Sequence, residues 1–268
     1  MVRVAEFVIE DVDVFAGDDS FARSHATIIA DGAVSPNGWE HEHMEHEHAI
    51  RTTFAAREFT DEPVTDEALY EILDTARFAP SGGNRQGGHV TIVRDSHVKR
   101  RIADLSRPGA RRYLAQRAAG EMPWNSVDPT TVTDEDLAAT RGVGEFVAPL
   151  VAAPVLLVIS VDLAVVASTD KDLDRVGVIS GGSIYPLAWN ILTTARSRGF
   201  GGTFTTMATA EEPAVRDLLK IPSGHAVAAV IPLGRPARML TRLRRNAVED
   251  FVTRDVYDGA PFTLESER

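Results

Sequence analysis

Three observations predict that this chain folds as one α+β domain with an extension at its amino terminus. Segments whose apolar residues recur at helical spacing alternate with short apolar runs that are typical of buried strands. With 268 residues, of which 44% are hydrophobic, the chain can bury a full core. We find no internal repeat and no low-complexity linker that would divide it.

The first strong helical signal begins at Thr65, a residue type that caps helix amino termini through its side chain. Apolar residues follow at helical spacing, namely Leu69, Ile72, Leu73 and Ala76. Pro80 ends this helix, because proline disfavours helical backbone in the residue before it. A strand is predicted at 90–93, and Ser96 is the expected cap of the next helix.

Residues 107 to about 147 break this pattern and are predicted to form an insert or lid. Turn-forming pairs such as Pro108-Gly109 are frequent, with helical pieces expected at 111–119 and 134–140. Long irregular segments in compact domains are often binding loops. Trp124 stands out here, either as a buried structural anchor or as a substrate contact.

The second half of the chain has clearer elements. A central strand is predicted at 154–161, and a long helix at 183–198 that Gly199 ends. A further helix is expected at 211–219. The nearly continuous apolar run at 227–233 predicts a strand covered on both faces.

Residues 1–43 are predicted to be an extension, and residues 44–268 the domain proper. Four of the eight histidines lie at 41–48, where a shared metal is one interpretation. A solvated helix start is the simpler one, because no supporting ligands are visible. We therefore predict no metal site.

Bulk properties exclude several classes of protein. A net charge of −11 argues against nucleic acid and anionic membranes as partners. The absence of cysteine rules out disulfides and thiolate catalysis and suits a cytoplasmic location. The longest apolar run, 147–161, contains two prolines and falls short of the roughly 20 residues that a membrane helix needs. P-loop, nucleophile-elbow and dinucleotide-fingerprint motifs are also absent.

The segment Ala79-Pro80-Ser81-Gly82-Gly83-Asn84-Arg85-Gln86 has a composition suited to a ligand. Its glycines let the backbone approach a flat molecule closely. The side chains of Ser81 and Asn84 can meet hydroxyl groups or a ring edge. On composition alone, an ordinary turn between a helix and a strand is favoured.

Order and spacing over a longer stretch change that balance. Five segments follow one another along the chain. They are Ala49-Ile50-Arg51-Thr52-Thr53-Phe54-Ala55-Ala56-Arg57 with Pro63-Val64, the turn at 79–86, the glycine segment Gly199-Phe200-Gly201-Gly202-Thr203, the connection 221–236 and the basic run from Arg244-Arg245. Together they resemble the FMN-dependent nitroreductase family over roughly residues 44–259.

That resemblance implies a nitroreductase-like α+β fold, with a central, mostly antiparallel sheet flanked by helices and two intertwined subunits. It implies an FMN at each end of the interface and ping-pong hydride transfer from NADPH or NADH to a nitroaromatic, quinone or related small acceptor. No side chain is expected to act as acid or base. The cofactor-binding residues that it implies are Thr53, Arg57, Pro80, Ser81, Gly82, Asn84, Gln86, Gly201, Gly202, Thr203, Arg244 and Arg245.

The sequence also departs from the family pattern. Thr53 and Ala55 replace the expected arginine and serine of the phosphate turn, so Thr53 is left to offer one weaker hydrogen bond. Gly87-Gly88 replaces a bulkier pair, which predicts a roomier site. These losses keep open a protein that sequesters flavin with little turnover, and a dehalogenase, a flavin-fragmenting enzyme or a deazaflavin-dependent enzyme of the same fold.

Overall fold

The structure, a computed structural model, describes residues 44–264. The predicted extension at 1–43 therefore lies outside the described residues. The helices and strands are, in chain order, α1 (His46–Thr52), α2 (Asp66–Ala76), β1 (Gly88–Val93), α3 (Ser96–Ala118), α4 (Asp134–Ala139), α5 (Val143–Ala152), β2 (Val155–Asp162), α6 (Tyr185–Ser197), β3 (Gly201–Gly202), α7 (Glu212–Leu219) and β4 (His225–Gly234).

The four strands form one antiparallel sheet in the order β1-β2-β4-β3. β2 and β4 are the inner strands, with Val155 opposite Leu233 and a register irregularity between Ile159 and Ser160. Both strands are buried along almost their whole length, as their apolar runs predicted. The predicted α+β class with an antiparallel sheet is confirmed.

Helices cover both faces of the sheet. On one face, α2 and α6 pack Leu69, Ile72 and Ile191 against Leu157 and Ile231. On the other face, α3, α5 and α7 form a second core, in which the buried residues are Ile102, Ala110, Val147, Leu150, Leu156, Val158, Val215 and Val230. The sheet is therefore the middle layer of three, and its β3 edge meets the carboxyl end of α6.

Local signals in the sequence found most of these elements. The Thr65 hydroxyl accepts a hydrogen bond from the Ala68 amide at 3.2 Å, which caps α2 as predicted. Gly199 has a φ of +77°, so it ends α6 in the left-handed backbone that glycine allows. At α3, however, Asp95 rather than Ser96 is the cap, because its carboxylate accepts from the amides of His97 and Val98.

The turn expected at Pro108-Gly109 is wrong, since α3 runs through both residues to Ala118. Gly109 lies against the backbone of Met207, and a Cβ there would come within 2.5 Å of the Met207 carbonyl oxygen. The irregular stretch begins only after α3. Trp124 is not a buried anchor either: it is 44% exposed, under the guanidinium of Arg112 at 4.5 Å from its ring centroid.

Within residues 44–264, no helix has both the length and the apolar character needed to cross a membrane. The same part of the chain contains no group of three histidine or carboxylate side chains placed to hold a metal ion. His46 and His48 lie in the exposed first turns of α1.

Candidate functional site

A cleft of about 750 Å³ opens among the described residues, and we call it the main cleft. It lies where the end of α1, one face of α6, the segment after β3 and the basic run meet. Its lining residues are Thr53, Phe54, Ala55, Arg57, Tyr185, Ala188, Trp189, Leu192, Gly202, Thr203, Phe204, Leu240, Leu243 and Arg245. The volume is in the range of small-molecule and cofactor sites.

One wall of the main cleft is the chain at 53–57, which we call the 53–57 segment. Its position is set by β3, because the Ala56 amide donates to the Gly202 carbonyl at 3.0 Å. Ala55 and Gly202 form a parallel bridge at the same point. Gly201 permits this close approach, since a Cβ there would lie 3.1 Å from the Ala56 Cβ and 2.7 Å from the Pro236 side chain.

The opposite wall is one face of α6. Tyr185, Ala188, Trp189 and Leu192 recur at helical spacing and line the main cleft together. The Tyr185 ring meets Phe204 edge to face, with 5.4 Å between the ring centroids. This arrangement gives the main cleft an aromatic and apolar surface that suits a flat ring.

The charge in the main cleft is positive. Arg57 and Arg245 bring guanidinium groups to its lining, and none of the described lining residues is acidic. The Arg57 side chain bonds only weakly to its own segment, with Nη1 3.4 Å from the Ala55 carbonyl oxygen. Both groups therefore retain donors for an anionic ligand.

A smaller cavity of about 220 Å³ lies beside the main cleft, and we call it the inner cavity. The two share Arg57, Thr203 and Phe204, so they flank the same stretch of chain. Tyr113 and Phe146 form its aromatic wall, with ring centroids 5.3 Å apart. The shared residues therefore border two adjoining spaces of similar chemistry.

Comparison with known proteins decides the family. The sequence profile of the Nitroreductase family matches residues 50–235, more than half of the chain. The chain belongs to the nitroreductase family. This assignment confirms the resemblance stated above and the predicted enzyme class, an NAD(P)H-dependent flavin oxidoreductase.

Individual relatives agree with this family. A protein of Methanothermobacter thermautotrophicus with the provisional name NADH dehydrogenase/NAD(P)H nitroreductase is 23% identical over 241 residues, 89% of this chain and 93% of its own. A BluB-like flavoprotein from Clostridium difficile superposes with a TM-score of 0.59 at 20% identity, over 78% of this chain and 98% of that one. The NADPH:FMN oxidoreductase from Vibrio harveyi, complexed with NAD+, gives 0.55 at 19% identity, over 79% and 77%. The two structures support the nitroreductase fold.

Of the twelve cofactor-binding residues predicted for this nitroreductase, five line the main cleft: Thr53, Arg57, Gly202, Thr203 and Arg245. Gly201 is buried in β3 beside them, and Arg244 precedes Arg245 without lining the cleft. The hydrogen bond expected from Thr53 to a ligand is not available in this geometry. Its hydroxyl donates to the Ala49 carbonyl at 2.8 Å instead.

The other five predicted residues, Pro80, Ser81, Gly82, Asn84 and Gln86, lie together in a turn that lines neither cavity. We call residues 80–86 the proline–glycine turn. The Gly82 amide donates to the Ser183 hydroxyl at 2.9 Å, which attaches the turn to the chain just before α6. Asn84 and Gln86 have positive φ values of 52° and 51°, a strained backbone that is common at functional sites.

The roomier site expected at Gly87-Gly88 is wrong. A Cβ at Gly87 would meet the Val165 side chain at 2.5 Å, and one at Gly88 would meet Leu187 at 2.9 Å. The space that larger side chains would take is therefore filled by other parts of the chain.

Sequence reasoning missed the aromatic wall of the main cleft. Tyr185 and Trp189 are four residues apart on a helix that was predicted, so their common face was visible in the sequence. Phe204 directly follows the predicted Thr203. Nothing in the local pattern indicated that Leu240 and Leu243 would close the same cleft.

Proposed function

We propose that this nitroreductase is a homodimeric, FMN-dependent oxidoreductase that uses NADPH or NADH to reduce nitroaromatic, quinone or related small acceptors. The observation that carries the proposal is the main cleft, where two guanidinium groups, the main chain at Gly202 and an aromatic wall face one space. FMN has a matching partner for each of these three features, namely an anionic phosphate, a polar chain and a flat ring.

The described residues fit FMN. Arg57 and Arg245 supply charge-assisted donors for a phosphate. Gly202 brings main-chain groups to the lining, where they can meet the polar chain of FMN. Leu192, Trp189 and Phe204 can cover an aromatic ring on its apolar side.

When bound, FMN supplies a ring that accepts a hydride from NADPH or NADH and passes it to the acceptor. The chain has the tasks of binding, orienting and shielding. Arg57 lies between the main cleft and the inner cavity, where its charge stabilises electron-rich groups on either side. Phe204 and Tyr185 pack edge to face and give the main cleft an apolar border.

A second subunit completes the site in this proposal. The proline–glycine turn is the part that the family resemblance assigns to the flavin ring, yet within one chain it lines neither cavity. A partner's turn laid over the main cleft brings Ser81 and Asn84 to the ring. The carboxyl-terminal stretch exposes Phe251 (70%), Val256 (61%) and Tyr257 (99%), which supports association, since exposed apolar patches often mark interfaces.

The first experiment tests the cofactor and the reaction. Purified protein reconstituted with FMN is expected to be yellow, to bleach with NADPH or NADH under anaerobic conditions, and to recover its absorbance when a nitroaromatic is added. A protein that cannot retain FMN contradicts the proposal. A yellow protein that does not bleach indicates a flavin-sequestering role instead.

The second experiment tests the shared site with hybrid dimers. Arg245→Ala and Asn84→Ala each damage both sites of a homodimer if each site uses Arg245 from one subunit and Asn84 from the other. In a mixed dimer, one site then receives both defects and the other receives none. We expect the hybrid to regain about half of the wild-type activity, as independent sites would give. Activity no higher than that of either parent rules out this arrangement.

A further inference from the structure

The end of α6 carries a buried arginine that the cleft chemistry above does not use. Arg196 is 5% exposed and lies in the last turn of the helix. No carboxylate of the described residues forms an ion pair with it, and burial lowers the pKa of its guanidinium. Burying a charge without an ionic partner is costly, so a compensating interaction must hold it.

That interaction is with the end of α1. Arg196 Nε donates to the Thr52 hydroxyl oxygen at 3.0 Å and lies 3.3 Å from the Thr52 carbonyl oxygen. Thr52 is the last residue of α1, where the carbonyl groups lack helical partners and carry partial negative charge. A guanidinium at this position both satisfies an acceptor and complements the helix dipole.

The contact joins two positions 144 residues apart in the sequence. α1 has only seven residues and no side-chain hydrogen bond at its N-cap, so it is too short to be stable alone. Its carboxyl end is held by Arg196, and the chain directly after it is the 53–57 segment. At the other end of that segment, Ala56 is bonded to Gly202.

We propose that Arg196 is a positioning residue for flavin binding, which fixes the 53–57 segment against α6 so that Arg57 faces the main cleft. The inference rests on the proposed function for its ligand. Arg196 itself does not line the main cleft. Its effect passes through Thr52 to the backbone of the wall that does.

The test compares Arg196→Met with Arg198→Met, measuring FMN affinity by fluorescence quenching and amide hydrogen exchange without ligand. Arg198 is a matched control two residues further on, because it pairs with Glu71 at 3.2 Å and does not touch α1. We expect Arg196→Met to weaken FMN binding roughly tenfold and to speed exchange of the Thr53 and Ala56 amides by a similar factor. Exchange in β2 should be unchanged.

Arg196→Lys keeps the positive charge and an N–H donor, so we expect it to recover part of the FMN affinity and part of the slow exchange. It replaces Arg196→Met as the test variant if the Met variant does not fold. Equal FMN affinity and equal exchange in the Arg196 and Arg198 variants would overturn the proposal. Faster exchange that extends through β2 would also overturn it, since Arg196 would then have only a structural role. If wild-type protein fails to bind FMN, the proposed function fails, and the exchange measurement alone judges whether Arg196 positions the segment.

Discussion

Two irregular stretches of this nitroreductase-family protein are held in opposite ways. The 53–57 segment is fixed by distant parts of the chain, through Gly202 on one side and Arg196 on the other. The loop at 119–133 is fixed by its own neighbours, since the Glu121 carboxylate accepts from the Thr131 amide and from the hydroxyls of Thr130 and Thr131. The first lines a cleft and the second is exposed.

The difference teaches which changes each stretch can tolerate. A segment that is tied to buried strands responds to any change in the strands, and its alteration affects the whole domain. A loop that is tied to itself can rearrange without disturbing the core. Three substitutions test this contrast, and a fourth, Arg245→Ala, tests the cleft that the first stretch lines.

The largest effect is expected at Gly202. In Gly202→Ala, the new methyl group would meet the Pro232 carbonyl oxygen at 2.7 Å and the Ile231 side chain at 3.0 Å. Pro232 lies in the inner strand β4, whose backbone cannot shift without disturbing the sheet. We therefore expect a loss of about 2–3 kcal/mol in the free energy of unfolding. Urea denaturation measures it.

Gly144→Ala is the matched control for that substitution. No atom lies within 4 Å of the position of its added Cβ, and Gly144 is in α5. Its stability should stay equal or rise slightly, because alanine favours helix. If both variants unfold at the same urea concentration, β3, which holds the 53–57 segment, packs more loosely against β4 than the structure indicates.

The second-largest effect is on ligand affinity, and the free energy of unfolding should not change. Arg245→Ala removes a guanidinium from the main cleft and should weaken FMN binding by about 1.5 kcal/mol, roughly tenfold. Fluorescence titration gives the dissociation constant. Arg238→Ala, in the same basic run but outside the lining of the main cleft, should bind FMN as the wild type does.

The sequence predicted much of the fold because most of its elements are locally encoded. Helical spacing found α2, α6 and α7, and apolar runs found β1, β2 and β4. It missed the passage of α3 through Pro108-Gly109, since a proline inside a helix normally ends it and only the contact with Met207 accounts for the glycine.

The candidate site was predictable to a smaller extent. Motif order located Arg57, Gly202 and Thr203, which do meet in one cleft. The bond from Ala56 to Gly202 and the one from Arg196 to Thr52 join residues far apart in the sequence, and no local pattern encodes such pairs. The proline–glycine turn was assigned to the same site, but one chain does not bring it there.

The third effect lies in the exposed loop. Gly120 has a φ of +75° and no atom within 4 Å of the position of an added Cβ. Gly120→Ala therefore costs only backbone strain, about 1 kcal/mol, and should lower the unfolding midpoint by roughly 2–4 °C. A loss as large as that of Gly202→Ala, by calorimetry, would mean that this loop is as tightly coupled to the core as β3 is.

The smallest effect is confined to the loop and depends on pH. The amide of Thr131, then its hydroxyl and that of Thr130, lower the pKa of Glu121 from 4.5 to about 2. Because the pKa is depressed in the folded chain, this carboxylate stabilises the loop above pH 4.5, and the contribution is lost as the pH falls towards 2. The NMR shift of the Thr131 amide should titrate with a midpoint of about 2.

Glu121→Gln should abolish that titration while leaving the unfolding midpoint at pH 7 nearly unchanged. Glu135→Gln, which removes a charge from α4 without a hydrogen bond to Thr131, should leave the titration in place. If the Thr131 shift instead follows the ordinary pKa of an exposed glutamate, the three hydrogen bonds to Glu121 do not persist in solution. The loop at 119–133 would then lack the local contacts that set it apart from the 53–57 segment.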